Sequence, residues 1–382
     1  MARSTRTAVP TEGPSSRMAA RSRSRSLRAR TAAVVAAAAV GVLAACTPAS
    51  TPNQTAPAPD PVTVEPTIEP SRGAPPVPAV PIVWPLTGVE AADVAQRPAV
   101  AIKVENTATA RPQSGLEEAD VVWETIVEFD VSRFIAVFHS KVPAEVGPVR
   151  SVRPMDPAIV SPLRGLLVFS GGQPGILAMA TASPAQVISH DAGAAGLYRV
   201  KHRSAPHNVY GKVQTFLEQA DAGHQASPAQ QFGIALRPEQ ATAALLGTPA
   251  TSLTFRLSGQ ARPTWAWDAG TGTWLRSEGS TPATAASGAR LSAVNVVGIT
   301  AEHPGTQFGA QNGAVVPTYA LVGMTGDATV ATGGKTVPAR WSKAAGDAPL
   351  VLTQLDGQPL LLAPGNTWVE LIPAGKGSLA VG

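Results

Sequence analysis

The chain has 382 residues, 44% hydrophobic and 15% charged, with 30 Lys and Arg against 26 Asp and Glu and a formal net charge of +4. The surplus belongs to the leader: eight arginines fall within residues 1–45, while Leu86 to Gly382 carries 21 Lys and Arg against 22 Asp and Glu, a balance of about −1. A near-neutral folded region lacks the basic stripe that displaces counterions from nucleic acid, so no nucleic-acid partner is expected, and a single cysteine, Cys46, excludes an intrachain disulfide.

Residues 1–45 read as a secretory signal peptide. The fifteen apolar and small residues from Thr31 to Ala45 follow a crowd of arginines, are too few to span a bilayer, and close on Leu43-Ala44-Ala45-Cys46. Met18 opens a more ordinary signal length than Met1 does. A small-residue tripeptide before a cysteine resembles the bacterial lipobox, in which the thiol receives a diacylglyceryl group and becomes the mature N-terminus. That resemblance implies membrane lipid as a partner through diacylglyceryl-Cys46, and a place at the outer face of the cytoplasmic membrane. Residues 46–85 are rich in Pro, Thr, Ala and Val and hold too few large apolar side chains to pack a core. As a partly polyproline-II tether, rising roughly 3.1 Å per residue, this segment would hold a domain about 100 Å from the membrane.

Ordered sequence is expected from Trp84 onward, with an α/β region over 86–245 and a β-rich region over 246–382. Ala99 to Val104, Val121 to Glu128 and Ser132 to His139 read as strands, the last two as a hairpin. Leu166 to Ser170 reads as a strand that turns through Gly171-Gly172 into a helix at Ile176 to Ala182. Lys212 to Ala222 and Pro238 to Leu246 read as helices, the second opened by a favourable first-turn proline. Beyond Thr251, Gly and Pro divide the sequence into short strands: Leu253 to Leu257, Arg290 to Thr300, Val315 to Val322, Leu350 to Thr353, Leu360 to Leu362 and Trp368 to Ile372.

Three strings, ARPQSGLEEADVVWETIVEFDVSRFIAVFHS (Ala110 to Ser140), VGPVRSVRP (Val146 to Pro154) and SAPHNVY (Ser204 to Tyr210), resemble the YerB-like family of extracytoplasmic lipoproteins. The likeness continues through Asn295-Val296-Val297 and LLLAPGNTWVELIP (Leu360 to Pro373). It implies a mixed α+β fold, a layered β/β/α sandwich with a β-rich C-terminal region, and it implies no reaction.

The densest polar group is Arg111, Asp120, Glu124, Glu128, Arg133, Arg150 and Arg153. Glu124 and Glu128, four apart on one expected strand, would lie about 13 Å apart, too far for a glycosidase pair, and one hairpin register sets Arg133 opposite Glu128. Arg150 and Arg153 follow the Gly147-Pro148 turn and precede Pro154. Two guanidinium forks on a stiff loop suit a carboxylate, phosphate or pyrophosphate; the alternative is that Asp120, Glu124 or Asp156 consumes them. Gly171-Gly172 is either a tight turn or a backbone cradle for an anion. His207 and Asn208 either fasten their loop or serve as base and orienter. The tryptophans after residue 260 either fill the core or make a sugar-stacking face. No metal site and no cofactor are expected, since neither H-E-x-x-H nor a dinucleotide fingerprint occurs.

Two functions remain open. One is a binding or scaffolding lipoprotein that meets peptidoglycan or an anionic wall polymer. The other is an envelope enzyme acting on a phosphate- or pyrophosphate-linked wall precursor through Arg150 and Arg153.

Overall fold

The computed structural model describes residues 80–382, so the expected signal peptide, Cys46 and most of the tether lie outside the described residues. Up to residue 246 the elements are β1 (Val100–Glu105), β2 (Val121–Ile126), β3 (Ser132–Phe138), α1 (Asp156–Val160), β4 (Leu166–Phe169), α2 (Pro174–Thr181), β5 (Gln186–Ser189), β6 (Leu197–Arg199), β7 (Val209–Gly211), α3 (Val213–Leu217) and α4 (Thr242–Leu246). The remainder is strand: β8 (Thr248–Pro249), β9 (Ser252–Arg256), β10 (Pro263–Asp268), β11 (Thr273–Glu278), β12 (Thr281–Pro282), β13 (Ser292–Ala293), β14 (Asn295–Ala301), β15 (Gly305–Gly309), β16 (Val315–Pro317), β17 (Met324–Thr332), β18 (Lys335–Lys343), β19 (Val351–Thr353), β20 (Thr367–Pro373) and β21 (Ser378–Val381).

One large sheet runs in the order β19-β18-β17-β14-β20-β2-β3-β1-β4-β5, with β8 added on β18. Strand β20, from the end of the chain, inserts between β2 and β14 and is parallel to both. Strands from either side of residue 246 are thus joined by backbone hydrogen bonds. Every residue of β20 is buried, as expected of a central strand covered on both faces, and its sequence TWVELIP is accordingly almost continuously apolar.

A second sheet, β12-β11-β10-β9-β21 with β13 on β11, covers one face of the first. Trp265 of β10 meets Trp368 of β20 edge to face, with 5.3 Å between ring centroids. Gly298 of β14 lies against Phe255 of β9; a Cβ there would stand 2.9 Å from the ring, so only glycine lets the layers approach this closely. On the other side α1 and α3 pack near β1, and Ile159, Val160, Val213 and Phe216 join the core. The result is the expected mixed α+β sandwich, strand-rich beyond residue 246.

Local departures from expectation have local causes. The helices expected over 212–222 and 238–246 shrink to α3, and to a 3₁₀ turn at Pro238–Gln240 followed by α4, because Ala241 between the last two is extended (φ −61°, ψ 141°). Strand β2 ends at Ile126, so Glu128 lies in the β2–β3 turn and not on the strand with Glu124. Arg133 stands opposite Thr125, not Glu128. The turn closes tightly because Phe129 (φ 64°) and Asp130 (φ 59°) both take left-handed backbone conformations that non-glycine residues seldom adopt.

Candidate functional site

Side chains alternate across a strand, and the β2–β3 ribbon uses this to carry two separate ionic groups. Thr125 and Arg133 point to the face that meets α1, where Lys103 donates to Thr125 and Arg133 reaches Glu128. Glu124 and Phe134 point to the second sheet, where both meet Arg276.

On the α1 face, a cleft of about 810 Å³ brings together Glu105, Glu128, Arg133, Arg150, Arg153 and His207. Arg153 grips Glu128 through two nitrogens, with Nε 2.6 Å from Oε2 and Nη2 on Oε1. Arg133 reaches the same carboxylate at 3.2 Å and donates to the Ser151 carbonyl at 2.9 Å. Burial alone would raise the Glu128 pKa, but the Arg153 hydrogen bond and the charges of Arg133 and Arg153 hold it down at about 2. Burial, together with Arg153, lowers Arg133 to about 9. Behind this pair the fully buried Lys103 donates to Asp156 at 2.7 Å, and Asp156 also accepts from the Arg153 amide, which fixes the loop from below.

Arg150 is the less committed guanidinium. Its Nε stands 3.5 Å from Glu105, its Nη1 donates to the Pro206 carbonyl at 3.3 Å, and its side chain is 20% exposed. Glu105, at the end of β1 and buried, faces His207: the two carboxylate oxygens lie 2.8 and 2.9 Å from Nδ1. In the neutral ring, a carboxylate on Nδ1 favours the tautomer with the proton on that nitrogen and the lone pair on Nε2. Gly172 and Gln173 line the cleft just ahead of α2, whose first residue, Pro174, has no N–H. Phe129, half exposed, forms part of the lip.

The sequence candidates thus divide. Arg133, Arg150, Arg153, His207 and Gly172 converge on the cleft. Gly171 lies behind it, where a Cβ would collide with Asp191. Asn208 is buried, accepting from Arg199 at 2.7 Å and donating to the Val200 carbonyl, so it fastens the loop and does not orient His207. Asp120 accepts from the amides of His139 and Ser140 at 2.6 and 2.7 Å and tethers the end of β3, away from the arginines. Burial raises its pKa despite these bonds. Arg111 donates to Asn106 and stands 3.4 Å from Glu278, beside a different cleft. The carboxylates expected to consume the loop arginines, Asp120, Glu124 and Asp156, are replaced in that role by Glu128 and Glu105. Trp265, Trp274, Trp341 and Trp368 are buried and fill the core, and Trp267 is half-buried against it. Among the described residues no group of three or more His, Cys, Asp or Glu is placed to hold a metal ion, and no helix is long and apolar enough to cross a membrane.

Glu124 belongs to a sealed cluster that sequence reasoning missed. Arg276 of β11, fully buried, donates to Glu124, Glu278 and Glu370 at 2.8, 2.9 and 2.8 Å. The rings of Phe134, Trp265 and Trp368 surround its guanidinium at 5.3, 5.4 and 4.9 Å. Burial disfavours the Arg276 charge, but the three carboxylates outweigh it and raise its pKa. The Glu124 and Glu370 carboxyls face each other across adjacent strands. Burial raises the Glu370 pKa and the neighbouring Glu124 raises it further, while Arg276 overcomes burial to lower Glu124. Of its members only Glu370 carries a local signal, as the one charge inside the apolar string TWVELIP.

The structure is thus an α+β sandwich of two sheets with an arginine-lined cleft on its helical face. The chain belongs to the family described as protein of unknown function (DUF3048): residues 86–226 match its N-terminal domain and residues 253–369 its C-terminal domain. Over 141 residues it is 35% identical to the protein of Bacillus subtilis (strain 168) named "Putative lipoprotein YerB", a match that spans 36% of this chain and 43% of that relative. The crystal structure of YerB from Bacillus subtilis shares the fold, with a TM-score of 0.66 at 23% identity over 78% of this chain and 99% of that one.

Proposed function

We infer that this protein is a lipid-anchored, extracytoplasmic binding lipoprotein whose arginine-lined cleft takes a phosphate- or pyrophosphate-bearing envelope ligand. The observation that carries this reading is the convergence of Arg133 and Arg150 on one cleft that Gly172 and Gln173 line just ahead of α2, with Arg150 partly exposed and held only by long contacts. Guanidinium groups recognise phosphate through paired charge-assisted hydrogen bonds. Glu128 neutralises much of Arg133 and Arg153, so these two set the shape of the cleft while Arg150 supplies the available charge. An anionic wall-polymer precursor fits this chemistry better than neutral peptidoglycan glycan, because the cleft is lined by guanidiniums while Trp265, Trp274, Trp341 and Trp368 are buried in the core. The lipobox at Cys46 and the name of the relative support the anchor.

Calorimetry of the full chain in detergent with pyrophosphate should show saturable binding, and Arg150→Ala should weaken it at least about tenfold, the value of a charged hydrogen bond. Absence of binding to pyrophosphate and to glycerol phosphate alike overturns the ligand class. For the anchor, Cys46→Ala should leave an unprocessed precursor or release the protein from membranes, and normal processing with unchanged attachment refutes the lipid link.

A further inference from the structure

The His207–Glu105 pair has a geometry that anion binding alone does not require. Simple recognition of phosphate is served by arginines and amides. Here a carboxylate that is itself buried is placed on Nδ1 of an imidazole whose ring lines the same cleft. Glu105 is held in turn by Thr107 Oγ1 at 2.8 Å, so the carboxylate is oriented before it orients the histidine. Nε2 has no hydrogen-bond partner among the described residues. The combination of a positioned base, a fixed tautomer and cations within one cleft meets the geometric requirements for proton transfer beside a bound anion.

We propose that the cleft is a catalytic site for phosphate-ester cleavage, with His207 as the general base and Glu105 as its positioning residue. The inference rests on the anion-binding reading above. A phosphodiester seats its non-bridging oxygens against Arg150, beside Gly172 and Gln173. His207 Nε2 takes a proton from a water molecule as the water oxygen forms a new bond to phosphorus. The bond between phosphorus and the leaving oxygen breaks, and that oxygen recovers the proton from the imidazolium, giving an alcohol and a phosphate monoester. Glu105 stabilises the imidazolium formed on the way, and Arg150 the charge that gathers on the phosphoryl oxygens. An acceptor hydroxyl in place of water gives transfer by the same proton path, so the substrate class is a phosphodiester or pyrophosphate-linked envelope intermediate.

The test pairs turnover with binding on the full chain in detergent. Release of p-nitrophenolate from bis(p-nitrophenyl) phosphate reports cleavage, and pyrophosphate calorimetry reports the cleft. His207→Gln should lower kcat about 10²- to 10⁴-fold, the usual contribution of a positioned base, with pyrophosphate affinity changed less than about threefold. Glu105→Gln should lower kcat by a larger factor than it changes KM, and Glu105→Asp should recover part of the loss, which a merely structural carboxylate would not do. Thermal unfolding of each variant shows whether the fold is retained; if His207→Gln fails to fold, the Glu105 pair decides the matter. Pyrophosphate binding without turnover by the wild type, or undiminished turnover by folded His207→Gln and Glu105→Gln, overturns catalysis and leaves the binding reading intact. Absence of pyrophosphate binding overturns both.

Discussion

The two faces of the β2–β3 ribbon show what separates a structural arginine from an available one. On the face toward the second sheet, Arg276 is enclosed by three carboxylates and three aromatic rings and is fully buried. On the α1 face, Arg133, Arg150 and Arg153 share two carboxylates, Glu128 and Glu105, at the wall of an open cleft. Both groups are arginines beside glutamates. The difference is saturation: the Arg276 guanidinium is fully buried against three carboxylates, whereas the cleft sets three guanidiniums against the buried Glu105 and Glu128 and the exposed Asp191, and it has a mouth. Availability for a ligand therefore follows from the local balance of charge and from access, and not from the presence of an arginine.

The sharpest break in this comparison comes from removing the sealed cation. Arg276→Met leaves Glu124, Glu278 and Glu370 without their common partner in a dry interface, and should cost about 3–5 kcal/mol of unfolding free energy, read from urea denaturation. Because Glu124 carries the charge that Arg276 attracts, Glu124→Gln should cost about 2–3 kcal/mol. These losses should occur without any specific effect on cleft ligands. A variant of Arg276 as stable as the wild type refutes the view that this cluster fastens the two sheets.

Much of the cleft could be read from local pattern, and the sealed cluster could not. The turn at Gly147-Pro148, the two arginines after it and the Gly-Gly step into a helix are features of short range, and Arg150, Arg153 and Gly172 do meet. Their partners depend on long-range register. His207 and Glu105 are 102 residues apart, and Arg276 lies 152 residues from Glu124 and 94 from Glu370. Only the insertion of β20 beside β2 sets Glu370 against Glu124, and no periodicity within either strand announces that pairing. The same limit explains Glu128. Alternation extends β2 to include it, but the left-handed turn at Phe129 and Asp130 takes it off the strand and aims it at Arg153.

Acid sharpens the comparison on the cleft side. Arg153 and Arg133 hold the Glu128 pKa at about 2, against 4.5 for an ordinary glutamate. The folded-state value is depressed, so the stability it contributes is fully present above about pH 4.5 and is lost as pH falls toward 2. Allowing for partial solvent screening, the loss should be about 2 kcal/mol. Denaturation midpoints across this window should fall for the wild type and stay flatter for Glu128→Gln; equal slopes refute the assigned ion pairing. The sealed side behaves differently. Glu370→Gln copies the protonated carboxyl that burial and Glu124 favour, so it should change stability by about 1 kcal/mol or less near neutral pH, well below the cost of Glu124→Gln.

The smallest stability effect should accompany a large functional one. Arg150 is partly exposed, its contact to Glu105 is long, and Glu105 retains His207 and Thr107 when the guanidinium is removed. Arg150→Ala should therefore change unfolding free energy by about 0.5 kcal/mol or less, the usual worth of a partly solvated ion pair. If the cleft is the ligand site, the same substitution removes the available charge and weakens pyrophosphate binding at least about tenfold. Arg276→Met is expected to do the reverse, loosening the fold while a folded fraction still binds. A variant at Arg150 that costs as much stability as one at Arg276 would place both arginines in the framework and dissolve the distinction between the two faces.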